Sequence, residues 1–126
     1  MLDTVCQLPG GYAPPDLVDT SSAGLNGGFF IRSVAMGDLS AMVAAARSDG
    51  ASLAIESAYR SYRGQVLTFN DWVRQVGYKA ALQTSARPGH SEHQLGTAID
   101  FRAVGGFDEG FGRGYYGDGD LCRRLR

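Results

Sequence analysis

Residues 85–101, SARPGHSEHQLGTAIDF, constrain this chain more than any other stretch. Both histidines of the protein, His90 and His93, fall inside it, and Asp100 follows His93 at a spacing of seven. Arg87-Pro88-Gly89 are turn formers, and Gly96 marks a second turn. From 97 to 101 the residues alternate as in a half-buried strand, with Thr97, Ile99 and Phe101 expected on one face and Ala98 and Asp100 on the other. The reading is a loop-borne imidazole and a strand-borne carboxylate brought together by one glycine turn. Neutral imidazole and carboxylate both suit zinc, and a catalytic zinc site usually draws three protein ligands and leaves one position open.

At this point the chain shows a resemblance. Residues 91–100, SEHQLGTAID, match the SxHxxGxAxD pattern of the VanY-like zinc D-alanyl-D-alanine carboxypeptidases and dipeptidases. The lead-in Ser85-Ala86-Arg87-Pro88-Gly89-His90 is similar to that family's SAxPGxS, and Ser57-Ala58-Tyr59-Arg60-Ser61-Tyr62 looks like its SGYRS motif. The likeness runs from about Leu8 to Phe101 with the motifs in order. It implies an α+β fold, a small antiparallel sheet flanked by helices of the Hedgehog/DD-peptidase kind, incomplete at the C-terminus. It also implies a zinc ion held by His93 and Asp100, with Arg60 as the catalytic cation that steadies the oxyanion of a hydrolysed amide. Ser91 would line the substrate pocket beside the metal, or serve as a turn hydroxyl. Gln65, at the family's downstream glutamine, would sit on the substrate side and support the site. His90 competes with His93 as a ligand but is assigned to holding the loop. The implied substrate is a peptidoglycan peptide ending in D-alanyl-D-alanine, which puts the work outside the cytoplasmic membrane.

The rest of the chain sets the frame. One hundred and twenty-six residues make one domain with a modest core, and a net charge of −1 with no basic patch gives no sign of nucleic-acid binding. A monomer is expected. No stretch is apolar enough for a membrane helix, and residues 1–6 show neither the basic nor the apolar part of a secretory signal. Cys6 and Cys122 stand near opposite ends, too few for a disulfide framework, and whether they pair is left open.

Three regions are expected: an extended arm over 1–30, wrapped on the domain without regular structure; a core over 31–104; and a glycine-rich divergent tail over 105–126. Within the core, Ser33 is expected to cap a helix over 34–47 that buries Val34, Met36, Leu39, Met42, Val43 and Ala46. A strand over 53–58 should place Leu53, Ile55 and Ser57 on one face. A second helix over 63–76 should bury Val66, Phe69, Val73 and Val76, with Trp72 packing beside them and Gly77 closing it in the left-handed conformation. A further turn is expected over 78–83.

After Phe101 neither apolar period continues, and the sequence holds no histidine beyond His93 and no tryptophan beyond Trp72. The resemblance implies a final Trp-His strand that supplies the third zinc ligand and a Glu general base, and neither is present. Glu92, Asp108, Glu109, Asp118 and Asp120 are carboxylates at hand, but no spacing singles one out. The reading is therefore a D,D-carboxypeptidase-like domain whose C-terminal third is lost or replaced, expected to bind zinc poorly and turn over little. The alternative is a noncatalytic remnant that binds zinc or a cell-wall peptide without cutting it.

Overall fold

The computed structural model describes residues 6–104. The glycine-rich tail and Cys122, and with it any pairing to Cys6, lie outside the described residues. Among the described residues, four short strands, three α-helices and three 3-10 turns follow one another. The strands β1 (Leu17–Asp19) and β2 (Phe30–Arg32) pair antiparallel, as do β3 (Leu53–Ser57) and β4 (Asp100–Ala103). The helices are α1 (Met36–Ser48), α2 (Tyr62–Val76) and α3 (Tyr78–Thr84). This is the expected α+β architecture.

The N-terminal region carries more structure than proline and glycine suggested. β1 lies within the expected arm, and the 3-10 turn Thr20–Ala23 follows it. Asp19 caps that turn, its carboxylate accepting from Ser21 N at 2.8 Å and from Gly28 N at 2.9 Å. Thr20 is fully buried and donates its hydroxyl to the Asn26 and Phe29 carbonyls. Local side-chain bonds of this kind let Ser, Thr and Asp residues order a segment that has no apolar period to announce it.

The helix expected over 34–47 starts later, because Ser33 does not cap it. The Ser33 hydroxyl donates to Asp16 Oδ2 at 3.0 Å, and residues Ser33–Ala35 form a 3-10 turn. That turn swings Val34 out to 73% exposure, whereas Leu39 and Val43 are buried on the inner face of α1. They join Ala23, Leu25, Ile31, Ile55 and Ala58 in one core, each large aliphatic contributing about 1.5–3 kcal/mol by burial. On α2 the buried positions are Gln65 and Phe69, and Val76 is exposed at the helix end. Ser61 caps this helix by accepting from Gly64 N at 3.1 Å. Gly77 has φ 83° as expected for a helix-ending glycine, but ψ 159° takes it out of the left-handed helical region and lets α3 follow at once. Phe69 meets Tyr78 edge to face at 5.9 Å across that corner.

The strand expected over 97–101 begins only at Asp100 and runs to Ala103. β3 stops at Ser57, the partner of Asp100, so among the described residues no strand pairs with residues 97–99. On β3, Ala54 and Ile55 are both buried, so both faces of the strand are covered there, and the register shifts between Ile55 and Ser57. Both main-chain polar groups of Ile55 are met by Asn26, Oδ1 accepting from Ile55 N at 2.7 Å and Nδ2 donating to Ile55 O at 3.0 Å. One side chain thus stands in for a neighbouring strand. Among the described residues, no helix is long and apolar enough to cross a membrane.

Candidate active site

His93 belongs to a 3-10 turn, Glu92–Leu95, rather than an irregular loop. Ser91 is buried and caps this turn, its Oγ accepting from His93 N at 3.3 Å. Gly96 closes it at φ 72°, where a β-carbon would sit 3.0 Å from Leu17 Cδ2 and 3.1 Å from Arg32 Cγ. Positive φ and a close approach together require glycine there. The turn is pinned from three sides. Arg60 N donates to His93 O at 3.0 Å, Arg32 N donates to Gly96 O at 2.9 Å, and Gln94, fully buried, donates its amide to the Pro9 and Tyr12 carbonyls.

The imidazole of His93 is oriented by the main chain. Its Nδ1 lies 2.7 Å from Ala58 O, and a carbonyl can only accept, so Nδ1 carries the proton. Nε2 then faces Asp100 Oδ2 at 3.3 Å. With the ring neutral, a lone pair would point at an acceptor-only carboxylate, an arrangement relieved by a proton on Nε2 or by a cation between the two. Two donors on one zinc at about 2.0–2.1 Å and a tetrahedral angle stand about 3.3 Å apart. The residues present therefore fit the two-donor share of a zinc site. A histidine whose other ring nitrogen donates to a carbonyl is also the usual form of a metal-binding imidazole. Among the described residues no group of three or more His, Cys, Asp and Glu comes together.

Arg60 stands beside this pair. Its Nη1 donates to Gln65 Oε1 at 2.9 Å and its Nη2 to Ser57 Oγ at 2.6 Å. Burial pulls the guanidinium below its usual value while Asp100 opposes that shift, and an arginine stays a cation throughout the physiological range. The Asp100 carboxyl is held below the ordinary range, first by the His93 imidazole 3.3 Å away against the effect of burial, and then by the charge of Arg60. The structure therefore gathers three sequence-identified residues, His93, Asp100 and Arg60.

Gln65 and Ser91 are both buried, the first in the supporting place expected of it and the second in the turn-hydroxyl alternative. Gln65 is 1% exposed, and its amide donates to Ser85 Oγ and Ala86 O while accepting from Arg60. Ser91 is 5% exposed and occupied as the cap of the His93 turn. Three contributors went unnoticed in the sequence: the Ala58 carbonyl, the Gln94 amide and the Ser57 hydroxyl. A carbonyl has no sequence signature, and serine and glutamine reveal their partners only after folding.

The chain is similar to several known proteins. The family model described as VanY, D-alanyl-D-alanine carboxypeptidase, matches residues 29–112. The YodJ protein of Bacillus subtilis (strain 168), named as a carboxypeptidase, is 39% identical over 112 residues, covering 83% of this chain and 41% of YodJ. The LD-carboxypeptidase LdcB, a structure concerned with peptidoglycan recognition, superposes with a TM-score of 0.66 at 38% identity, over 77% of this chain and 47% of LdcB. A vancomycin-resistance D,D-pentapeptidase VanY in complex with Zn(II) gives 0.67 at 28% identity, over 83% of this chain and 61% of that one. The chain thus spans less than two thirds of the length of each of these relatives. With the family model matched over more than half of its residues, the chain belongs to the VanY family of D-alanyl-D-alanine carboxypeptidases.

Proposed function

We propose that this domain is of the zinc-dependent D-alanyl-D-alanine carboxypeptidase type, acting on peptidoglycan stem peptides, with His93 and Asp100 as metal ligands and Arg60 as the catalytic cation. The observation that carries the proposal is the pairing of His93 Nε2 with Asp100 Oδ2 at 3.3 Å while Nδ1 is committed to Ala58 O. A zinc ion held there would supply Lewis acidity toward the scissile carbonyl and the attacking water. The Ala58 carbonyl keeps the imidazole in the tautomer that presents Nε2. Arg60 brings a fixed positive charge to where the carbonyl oxygen becomes negative, the kind of interaction that strengthens in the transition state. Gln65 positions Arg60 from behind, and Ser91 positions His93. Such a substrate lies outside the cytoplasmic membrane, and the proposal puts the activity there.

A second reading has its own observation: only two donors meet among the described residues, whereas catalytic zinc usually has three. On that reading the domain binds zinc or cell-wall peptide without hydrolysis. Calorimetric zinc titration of residues 1–126, run beside an assay for released D-alanine, tests both. The expected result is weak one-to-one binding that His93→Ala abolishes, with little turnover. Zinc binding indifferent to His93→Ala would overturn the ligand assignment. Submicromolar binding with clear turnover would remove the noncatalytic reading and require a third donor, for which His90 or a carboxylate of the tail would be tested by substitution.

A further inference from the structure

His93 sits in a four-residue 3-10 turn, a form with poor hydrogen-bond geometry whose direction depends on what it is fastened to. Two of its anchors are main-chain bonds, from Arg60 N to His93 O and from Arg32 N to Gly96 O. Another is a side chain, that of Gln94, the residue next to His93, and it is fully buried. Its Nε2 lies 3.1 Å from Pro9 O and 3.2 Å from Tyr12 O. Carbonyls only accept, so both amide protons are directed at them and the orientation of the amide is settled.

Those two carbonyls are the ends of one turn, which Tyr12 N closes by donating to Pro9 O at 3.0 Å. The turn touches both halves of the candidate site. On one side Gln94 grips it. On the other, Gly10 faces the ring of Tyr62, two residues after Arg60, so closely that a β-carbon would stand 3.6 Å from the ring. Just ahead of the turn, Leu8 N donates to Gly89 O at 2.8 Å, on the loop that leads to His93. Gly89 leaves no room there, since a β-carbon would meet Gln7 Cγ at 2.7 Å and Leu8 O at 2.9 Å. We propose that Gln94 is a positioning residue through which segment 7–12 fixes the direction of the 3-10 turn, and so the aim of the His93 ring. The consequence for zinc rests on the reading of His93 as a metal ligand; the consequence for the ring stands apart from it.

The test compares the full chain with two variants. Gln94→Met keeps the length of the side chain and removes both donors, whereas Leu8→Pro removes the Leu8 N–H and leaves residues 89–96 as they are. In metal-free protein, exchange of the Tyr12 amide reports whether the segment is docked, and the nitrogen-15 and proton signals of His93 Nδ1–H report the ring. Both are expected to be protected in the wild type. In Q94M the Tyr12 amide is expected to exchange at least about tenfold faster, through local opening, and the His93 Nδ1–H to lose protection with it. L8P is expected to move both signals in the same direction. Zinc chloride titration by calorimetry should show Q94M weaker by about tenfold, the lower end of what losing a group that supports a metal ligand costs. A released segment with an unchanged His93 Nδ1–H would overturn the proposal, as would a Tyr12 amide that stays protected in Q94M. Backbone amide spectra establish that each variant is folded; if Q94M is not, L8P decides by the same two signals, and either one unchanged overturns the proposal. Should the wild type take up no zinc, the metal reading fails, and the Tyr12 and His93 signals alone decide for or against Gln94.

Discussion

The main-chain N–H of Arg60 donates to the carbonyl oxygen of His93 at 3.0 Å, binding the segment that follows β3 to the turn that precedes β4. Two side chains with complementary chemistry are thereby held by backbone rather than by their own flexible ends. A ring set by a carbonyl and a guanidinium set by a glutamine and a serine leave little rotamer freedom to lose on engaging a ligand.

The first prediction concerns the His93 ring. With Nδ1 donating to Ala58 O, the neutral imidazole is expected as the Nδ1–H tautomer, and nitrogen-15 spectra of metal-free protein should show a protonated Nδ1. Zinc should then perturb Nε2 and leave Nδ1 little changed. An Nε2–H tautomer would remove the basis for metal binding through that nitrogen.

Arg60 is open to a kinetic check in an active, longer member of the family that carries the same Tyr-Arg-Ser sequence. Replacing that arginine with lysine or alanine should lower kcat by roughly 100-fold or more, comparable to removing one oxyanion-hole donor. If kcat is unchanged and only stability falls, the arginine is a structural residue and the proposed role is wrong.

Asn26→Ala should destabilise the fold without touching the site. Both polar groups of Ile55, a residue only 1% exposed, would lose their partner, at a cost of about 1–3 kcal/mol. Urea unfolding monitored by circular dichroism would show a lower midpoint with an unchanged slope. A midpoint equal to the wild type would mean that water serves Ile55 as well as the asparagine does.

Acid should weaken the contacts of the N-terminal hairpin. Asp16 is held below its ordinary value, foremost by the hydrogen bond from Arg32 against the effect of burial, with Ser33 adding to the lowering. Asp19 is lowered first by the amide of Ser21 and then by that of Gly28. A carboxylate with a depressed folded pKa contributes stability that is fully present above its unfolded value of about 3.9 and lost as pH falls through the folded value. Stability measured from pH 6 down to pH 2 should therefore drop below about pH 4, and Asp16→Asn should flatten part of that slope while lowering the neutral-pH plateau. An identical slope in the variant would show that the Arg32 pair adds nothing to folding.

Much of the site was legible before folding because its chemistry is local. His93, Gly96 and Asp100 sit within one short segment, and the turn that joins them follows from residue types whose preferences are intrinsic: serine at a cap, glycine at positive φ. The buried stripe of α1 was legible in part for the same kind of reason, since Leu39 and Val43 lie one turn apart. Val34 shows the limit. It belongs to the same apolar period, yet it is exposed, because Ser33 spends its hydroxyl on Asp16, a partner far back in the chain.

What only the tertiary structure decided is who stands opposite whom. Sequence alone determined that an imidazole, a carboxylate and an arginine were available in motifs of known kind. It did not determine that Ser57 rather than Glu56 faces Asp100, that the Ala58 carbonyl sets the His93 tautomer, or that Asn26 completes β3. Strand register and main-chain acceptors depend on pairings between distant segments, and those pairings are settled by the summed burial and hydrogen bonding of the whole domain.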